Sequence, residues 1–336
     1  MGGGKPGLAS AAQMGSVTAM SDLRHTPRDH GGDLDDAAAR FGGARTAWLD
    51  LSTGINPVAY TVPAIPAAAW TTLPDTTARA ALEQAARRFW RVPARAGVLA
   101  APGTSSLIAR IPALRPAATV TIPSPTYNEH RAAFRAAGWR LGDNGTAHVA
   151  VHPNNPDGRL WRRDEFPTAA LTVIDESFCD TAPQESLIAM ADRPGVIVLK
   201  SVGKFWGLAG MRLGFAIGDP QLIARLGELL GPWPVPGPAI HVGSVLLNDA
   251  AWAERTRERL AADIAALDTL MSRRGVELVG GTTLFRTYAV DDAAAWQERL
   301  AQRQIWTRVF PYSKHWLRLG LPAPESWPRL QGALAG

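Results

Sequence analysis

Val196-Ile197-Val198-Leu199-Lys200-Ser201-Val202-Gly203-Lys204-Phe205-Trp206-Gly207-Leu208-Ala209-Gly210-Met211-Arg212-Leu213-Gly214-Phe215 is the stretch on which the fold turns. Its aliphatic opening, Val196–Lys200, predicts a strand, a short run of the kind buried on both faces of a parallel sheet, and a glycine-punctuated loop follows at once. A lysine in that loop stands at the carboxyl edge of the sheet, where ligands of doubly wound folds bind and where an amine can condense with an aldehyde. Ser201, three residues earlier, and Arg212, eight later, offer a hydroxyl and a guanidinium to one anion, and a phosphate suits that pair. From this segment alone, a glycine-rich loop with a surface ion pair is the other reading.

Working outward, the same alternation repeats. Apolar runs predict strands at Val98–Ala101, Thr119–Ile122, His148–His152, Leu171–Asp175 and Phe215–Ile217, and helical periodicity predicts helices over Arg79–Trp90, Thr104–Ile111, Asn128–Ala137 and Gln221–Leu230. Strands interleaved with helices predict an α/β fold, with a mainly parallel sheet in a large domain over residues 71–235. The Pro/Gly-dense stretch Gly231–Pro238 marks a boundary. Beyond it, one long helix over Val242–Arg273 and strands at Glu277–Val279, Leu284–Val290, Trp306–Phe310 and Leu317–Gly320 predict a smaller α+β domain over residues 236–336. Residues 28–70, with a short helix near Leu34–Phe41 ended by Gly42-Gly43, carry too little apolar content to stand alone and are expected to pack on that smaller domain. Residues 1–27, rich in Gly, Ala and Ser, read as a disordered leader.

Composition narrows the function. With 336 residues and 46% hydrophobic content, the chain can bury a large core. The net charge of +5 comes from 35 scattered basic residues, with no basic helix or aromatic-interleaved run, which argues against nucleic acid as a partner. Only Lys5, Lys200, Lys204 and Lys314 are lysines, so arginine supplies the generic surface cations and each lysine carries information. The single cysteine, Cys179, cannot form an intrachain disulfide, and no Cys/His cluster has zinc spacing; a reducing, cytoplasmic setting and no metal are expected. No run approaches the roughly 20 apolar residues of a membrane span, and no signal-peptide pattern opens the chain.

Further positions gather around Lys204. The strand Leu171–Asp175 ends in Asp175-Glu176-Ser177-Phe178, and a carboxylate at the end of a buried strand needs a partner. A protonated ring nitrogen is one such partner; an ordinary strand-end cap is another reading. Ala101-Pro102-Gly103-Thr104-Ser105-Ser106 joins a strand to a helix whose first amides and hydroxyls suit a phosphate, although any capped strand-turn-helix looks the same. His152-Pro153-Asn154-Asn155-Pro156-Asp157-Gly158 is first of all a turn, in which Asn155 can also hold a ring hydroxyl or a substrate group. Arg318, flanked by leucines in Trp316-Leu317-Arg318-Leu319-Gly320, needs an anion: a substrate carboxylate or a structural partner.

Assembled in this order, the motifs resemble the fold-type I pyridoxal-phosphate enzymes of the aminotransferase class I/II family, over about residues 28–330. The resemblance implies that Lys204 forms a Schiff base with pyridoxal 5'-phosphate and that Asp175 pairs with the pyridine nitrogen. It implies further that Asn155 bonds the ring oxygen, that Tyr127 stacks on the ring, and that Gly103, Thr104, Ser201 and Arg212 hold the phosphate. Arg318 matches the arginine that binds the substrate carboxylate, and a homodimer is implied as well. Where many members have a tyrosine three residues after the aspartate, this chain has Phe178, which sets generic aminotransfer in doubt.

His30-Gly31-Gly32-Asp33 and Ser52-Thr53-Gly54-Ile55-Asn56-Pro57 are similar to motifs of the branch that decarboxylates L-threonine O-3-phosphate in cobalamin biosynthesis. They imply a phosphorylated amino acid as substrate, with His30, Gly31, Asn56, Asn155 and Arg318 as its contacts. Decarboxylation to (R)-1-amino-2-propanol phosphate is the expected reaction. Aminotransfer on a phosphorylated substrate such as histidinol phosphate is the alternative. His30-Gly31-Gly32 also reads as a plain lead-in to the next helix, and Asn56 as a turn residue.

Overall fold

The run that opens the deciding stretch is a strand, Val196–Ser201, and it is the third of seven in one sheet of the computed structural model. The model describes residues 1–3 and 29–335; the leader expected over residues 1–27 lies, apart from residues 1–3, outside them. Contacts divide the chain into residues 1–30 and residues 31–336, and every element named below belongs to the second unit.

Across the sheet the strands run Gly97–Ala101, Gly214–Gly218, Val196–Ser201, Leu171–Asp175, Ala147–Val151, Thr119–Thr121 and Arg140–Leu141. Neighbours from Val196–Ser201 to Arg140–Leu141 are parallel, and Gly214–Gly218 is antiparallel to both of its neighbours. The mainly parallel sheet is as expected. Arg140–Leu141 is additional, and two residues are too few to reveal a period.

Burial explains the near-continuous apolar strands. Ile197 and Leu199 face one apolar cluster with Leu171, Val173 and Phe134, while Val196 and Val198 face another with Ile174 and Phe215. Alternate side chains thus enter two cores, so both faces of the sheet are covered, as parallel sheets require.

After the large sheet, the chain forms helices Gly237–Leu246 and Ala250–Ser272. A single helix was expected over Val242–Arg273. The break falls at Asn248-Asp249, because Asp249 turns out of helical geometry and its carboxylate accepts the Trp252 amide at 2.9 Å. A four-stranded antiparallel sheet follows, ordered Arg308–Phe310, Ser313–Gly320, Phe285–Ala289, Glu277–Thr282.

The N-terminal segment joins the later part of the chain. Leu49–Asp50 pairs in parallel with Ile305–Trp306, and Trp48, Trp306, Ala37 and Ala301 form a small apolar cluster of their own. The helix Leu34–Phe41 is capped by Asp33 and stopped at Gly42, as its sequence predicts.

Candidate active site

Three strands of the large sheet end at one cavity of about 110 Å³. Lys204 and Asn155 reach it from the loops after Val196–Ser201 and Ala147–Val151, and Asp175 from the last position of Leu171–Asp175. These are carboxyl ends of parallel strands, the usual ligand edge of such sheets.

Gly103, Thr104, Ser201 and Arg212 line the same cavity. Gly103 has φ of +79°, and a β-carbon there would lie 2.6 Å from Arg212 Nη2. The turn is therefore open only to glycine, and it lets the guanidinium come against the first turn of the helix Thr104–Ile108. Arg212 itself takes left-handed backbone, φ +52°, with Nη1 donating to the Ala209 carbonyl at 3.1 Å. A strained non-glycine residue beside a cavity marks a place where position outweighs local comfort.

Asp175 is buried and fully partnered. Oδ2 meets His130 Nε2 at 2.8 Å, and Oδ1 accepts from the Ser177 hydroxyl at 2.6 Å and its amide at 3.0 Å. Burial works to raise its pKa, yet the His130 and Ser177 bonds outweigh that and hold it below the ordinary carboxylate range. The carboxylate is thus kept charged in an apolar setting, ready for a cationic partner in the cavity. Tyr127 lines the same cavity, its ring edge-on to His130 at 6.2 Å.

The two lysines of the deciding stretch differ sharply. Lys200 is buried on the far side of its strand, 2.5 Å from Glu176 Oε2. Burial opposes its charge, but Glu176 outweighs it and raises the pKa above the ordinary lysine value. Lys204 keeps partial exposure toward open space, while protein surrounds its amine; burial first, then the charge of Arg318, brings its pKa down to about 8. Asp175 and Asp50 pull the other way and Arg212 pushes with Arg318. Lys204 is therefore the amine that is partly neutral near neutral pH, and Phe178 covers it with ring centroid 5.6 Å from Nζ.

Arg318 reaches the site from the small sheet. Its Nη1 donates to Asn155 Oδ1 and its Nη2 to the Ser52 carbonyl at 2.6 Å. Ser52 in turn bonds the Gly32 amide at 2.7 Å through its hydroxyl, which donates to Asp50 at 2.5 Å. A β-carbon on Gly31 would lie 2.4 Å from the Ser52 carbonyl oxygen, so this glycine allows a close backbone crossing. His30 belongs to the other unit, residues 1–30.

Asn56 is buried, with its side-chain amide donating to the Phe205 carbonyl at 2.8 Å and its oxygen accepting from Arg259 at 2.6 Å and Val58 at 3.0 Å. His130, Ser177 and Asp50 escaped the sequence reading. Ser177 had a usable signal, a hydroxyl two residues after the strand-end aspartate. For His130 the signal was fainter: an imidazole at i and Phe134 at i+4 share the inward face of one helix.

His152, Glu176 and Cys179 also approach one another. His152 is bonded by both ring nitrogens, to the Glu185 carbonyl and the Trp161 amide, and Glu176 by both oxygens. They form a structural knot beneath the site.

A charged carboxylate, an amine near neutrality, and a guanidinium with hydroxyls and helix amides suit one ligand: a phosphorylated aldehyde with a basic ring nitrogen. The comparisons agree. The profile of the family described as Aminotransferase class I and II matches residues 148–328. The chain is 41% identical to the threonine-phosphate decarboxylase of Pseudomonas aeruginosa, over 92% of this chain and 97% of that one. It is 28% identical to the histidinol-phosphate aminotransferase of Symbiobacterium thermophilum, over 78% and 81%. Its fold is similar to the crystal structure of histidinol-phosphate aminotransferase from Sinorhizobium meliloti in complex with pyridoxal-5'-phosphate. That match has a TM-score of 0.78 at 19% identity and covers 95% of this chain and 98% of that one. Profile and relatives coincide along most of the length, and the chain belongs to the aminotransferase class I and II family.

Proposed function

We propose that the chain is a pyridoxal-phosphate enzyme that decarboxylates L-threonine O-3-phosphate to (R)-1-amino-2-propanol phosphate. The observation that carries the reading is the 41% identity that spans 97% of a threonine-phosphate decarboxylase, in a chain whose cavity joins Lys204 to Asp175 and Arg212. When bound, the cofactor supplies an electron sink for the pair left on the α-carbon as the bond to carbon dioxide breaks.

The residues divide that work. Asp175, kept anionic by His130 and Ser177, would pair with a positive ring nitrogen, and Tyr127 and Asn155 would hold the ring. Gly103, Thr104, Ser201 and Arg212 take the cofactor phosphate. Lys204 would be the amine that holds the cofactor, and its Nζ is the group placed to return a proton to the substrate α-carbon. Arg318 would take the substrate carboxylate with its guanidinium and so orient the substrate in the cavity. Gly31 is the contact proposed for the substrate phosphate. Phe178, which has no hydroxyl, packs over Lys204 and helps exclude water.

The product's chemistry is that of the aminopropanol arm of cobalamin, and the reaction is proposed to serve that biosynthesis in the cytoplasm. Among the described residues, no helix is long and apolar enough to cross a membrane. A homodimer is proposed from the exposed Trp70, Leu73 and Trp233, large apolar side chains on neighbouring surface segments.

Product analysis tests the reading. Protein loaded with pyridoxal phosphate and given L-threonine O-3-phosphate is expected to release carbon dioxide and aminopropanol phosphate in equal amounts, and Lys204→Ala is expected to release neither. A glutamate-dependent amino transfer that leaves pyridoxamine phosphate, with no carbon dioxide, would overturn it.

A further inference from the structure

The loop that carries Lys204 is held along its length by one short segment. Three successive carbonyls, of Lys204, Phe205 and Trp206, each accept a hydrogen bond from residues 56–60. The donors are the Asn56 backbone at 3.0 Å, the Asn56 side chain at 2.8 Å and the Tyr60 backbone at 2.9 Å. Gly207 ends the contact: at φ +70°, a β-carbon there would lie 2.7 Å from Ala59 Cα, so the two strands of chain touch backbone to backbone.

The segment is pinned from its other side by the helix Ala250–Ser272. Arg259 Nη2 donates to Asn56 Oδ1 at 2.6 Å, and Arg259 Nη1 is fixed by Asp263 at 2.8 Å. The Tyr60 hydroxyl donates to Asp249, the cap of that helix, at 3.2 Å. Arg259 and the Val58 amide both donate to the Asn56 oxygen, so the amide nitrogen must face Phe205; the flipped amide would set donors against donors and oxygen against oxygen.

We infer that residues 56–60 are a splint for Lys204, and that Asn56 is a positioning residue which ties the lysine's loop to Arg259 of the helix. The inference rests on Lys204 as the attachment amine. Its physical basis is the crowding around the amine. Arg318, Asp175, Arg212 and Asp50 all face Lys204, so its proton affinity depends on the loop keeping the amine among them and away from water. A shift of the loop by an ångström also spoils attack geometry, at a cost of up to about a hundredfold in rate.

The test uses Asn56→Ala, Arg259→Met and the conservative Arg259→Lys in the full chain. In cofactor-free protein, labelling of Lys204 by an amine-reactive reagent is followed against pH by peptide mass spectrometry; in loaded protein, kcat and KM are measured on L-threonine O-3-phosphate. The unaltered protein should show a labelling midpoint near pH 8. Asn56→Ala and Arg259→Met should move it upward by about half a pH unit or more, as the amine gains water, and lower kcat by about tenfold with little change in KM. Arg259→Lys, which keeps a donor to Asn56, should restore most of both. A rise in KM with kcat and midpoint unchanged would make Asn56 a substrate contact and overturn the splint. If Asn56→Ala does not fold, Arg259→Met decides alone, and an unmoved midpoint overturns the inference. Should no variant, and not the unaltered protein, decarboxylate phosphothreonine, the proposed reaction falls while the labelling still judges the splint.

Discussion

Lys200 sits in a strand and Lys204 in the loop after it, with opposite electrostatics, and the contrast locates the chemistry. Glu176 meets Lys200 at 2.5 Å inside the core, whereas the nearest strong influence on Lys204 after burial is a second cation, Arg318. Folding therefore lowers the pKa of Lys204 from 10.5 to about 8. Between those values the unfolded chain binds the proton and the folded chain does not, so stability gained from this group rises with pH from about 8 to 10.5, and its full cost is felt below 8. Lys204→Met should accordingly stabilise cofactor-free protein at pH 7 by up to about 3 kcal/mol, less as cavity water solvates the amine, with the gain fading above pH 10. Denaturant titrations at pH 7 and pH 10.5 check this; equal effects at both would contradict the lowered pKa. Lys204, Asp175, Ser201 and Arg212 were legible because their chemistry is written in local spacing. His130, Asp50 and Arg259 were not, because each acts on a residue far away in sequence, and a lone residue carries no sign of a partner that only the fold supplies.

Elements were legible in proportion to the strength of their period. The strands Leu171–Asp175 and Val196–Ser201 are continuous apolar runs bounded by polar turns, and their bounds stand within a residue of those expected. The helical pattern after Val242 ran straight across Asn248-Asp249, since the apolar face continues on both sides of the cap; the Asn-Asp pair was the only hint of a break. Surface segments carry a separate message. Trp70, Leu73 and Trp233 expose 67%, 65% and 50% of their surface, on a short helix, the turn after it and the approach to the helix Gly237–Leu246. The short helix packs on Gly237–Leu246, and Gly237 abuts the Ala69 backbone, so these side chains share a neighbourhood. Sedimentation should give twice the chain mass, and Trp70→Arg should shift the population toward the single chain. A unaltered protein that sediments as one chain would sink the dimer.

At the scale of the molecule, the site is drawn from nearly the whole chain. Ser52 and Asn56 come from the N-terminal segment, Gly103, Asp175 and Lys204 from the large sheet, and Arg318 from the small one. The order of motifs made this assembly readable as a resemblance, although no single motif identified it. What the order could not convey was the mutual support among distant pieces: Arg318 bonded to Ser52, and Arg259 bonded to Asn56. The central claim is that Lys204 alone carries the cofactor, and a chain with only four lysines makes it directly measurable. Protein loaded with pyridoxal phosphate is reduced with borohydride, digested, and examined by mass spectrometry for the pyridoxyl group. The adduct is predicted on the peptide containing Lys204 and absent from Lys5, Lys200 and Lys314. An adduct on Lys200, or none on Lys204 in protein that binds the cofactor, would contradict the account.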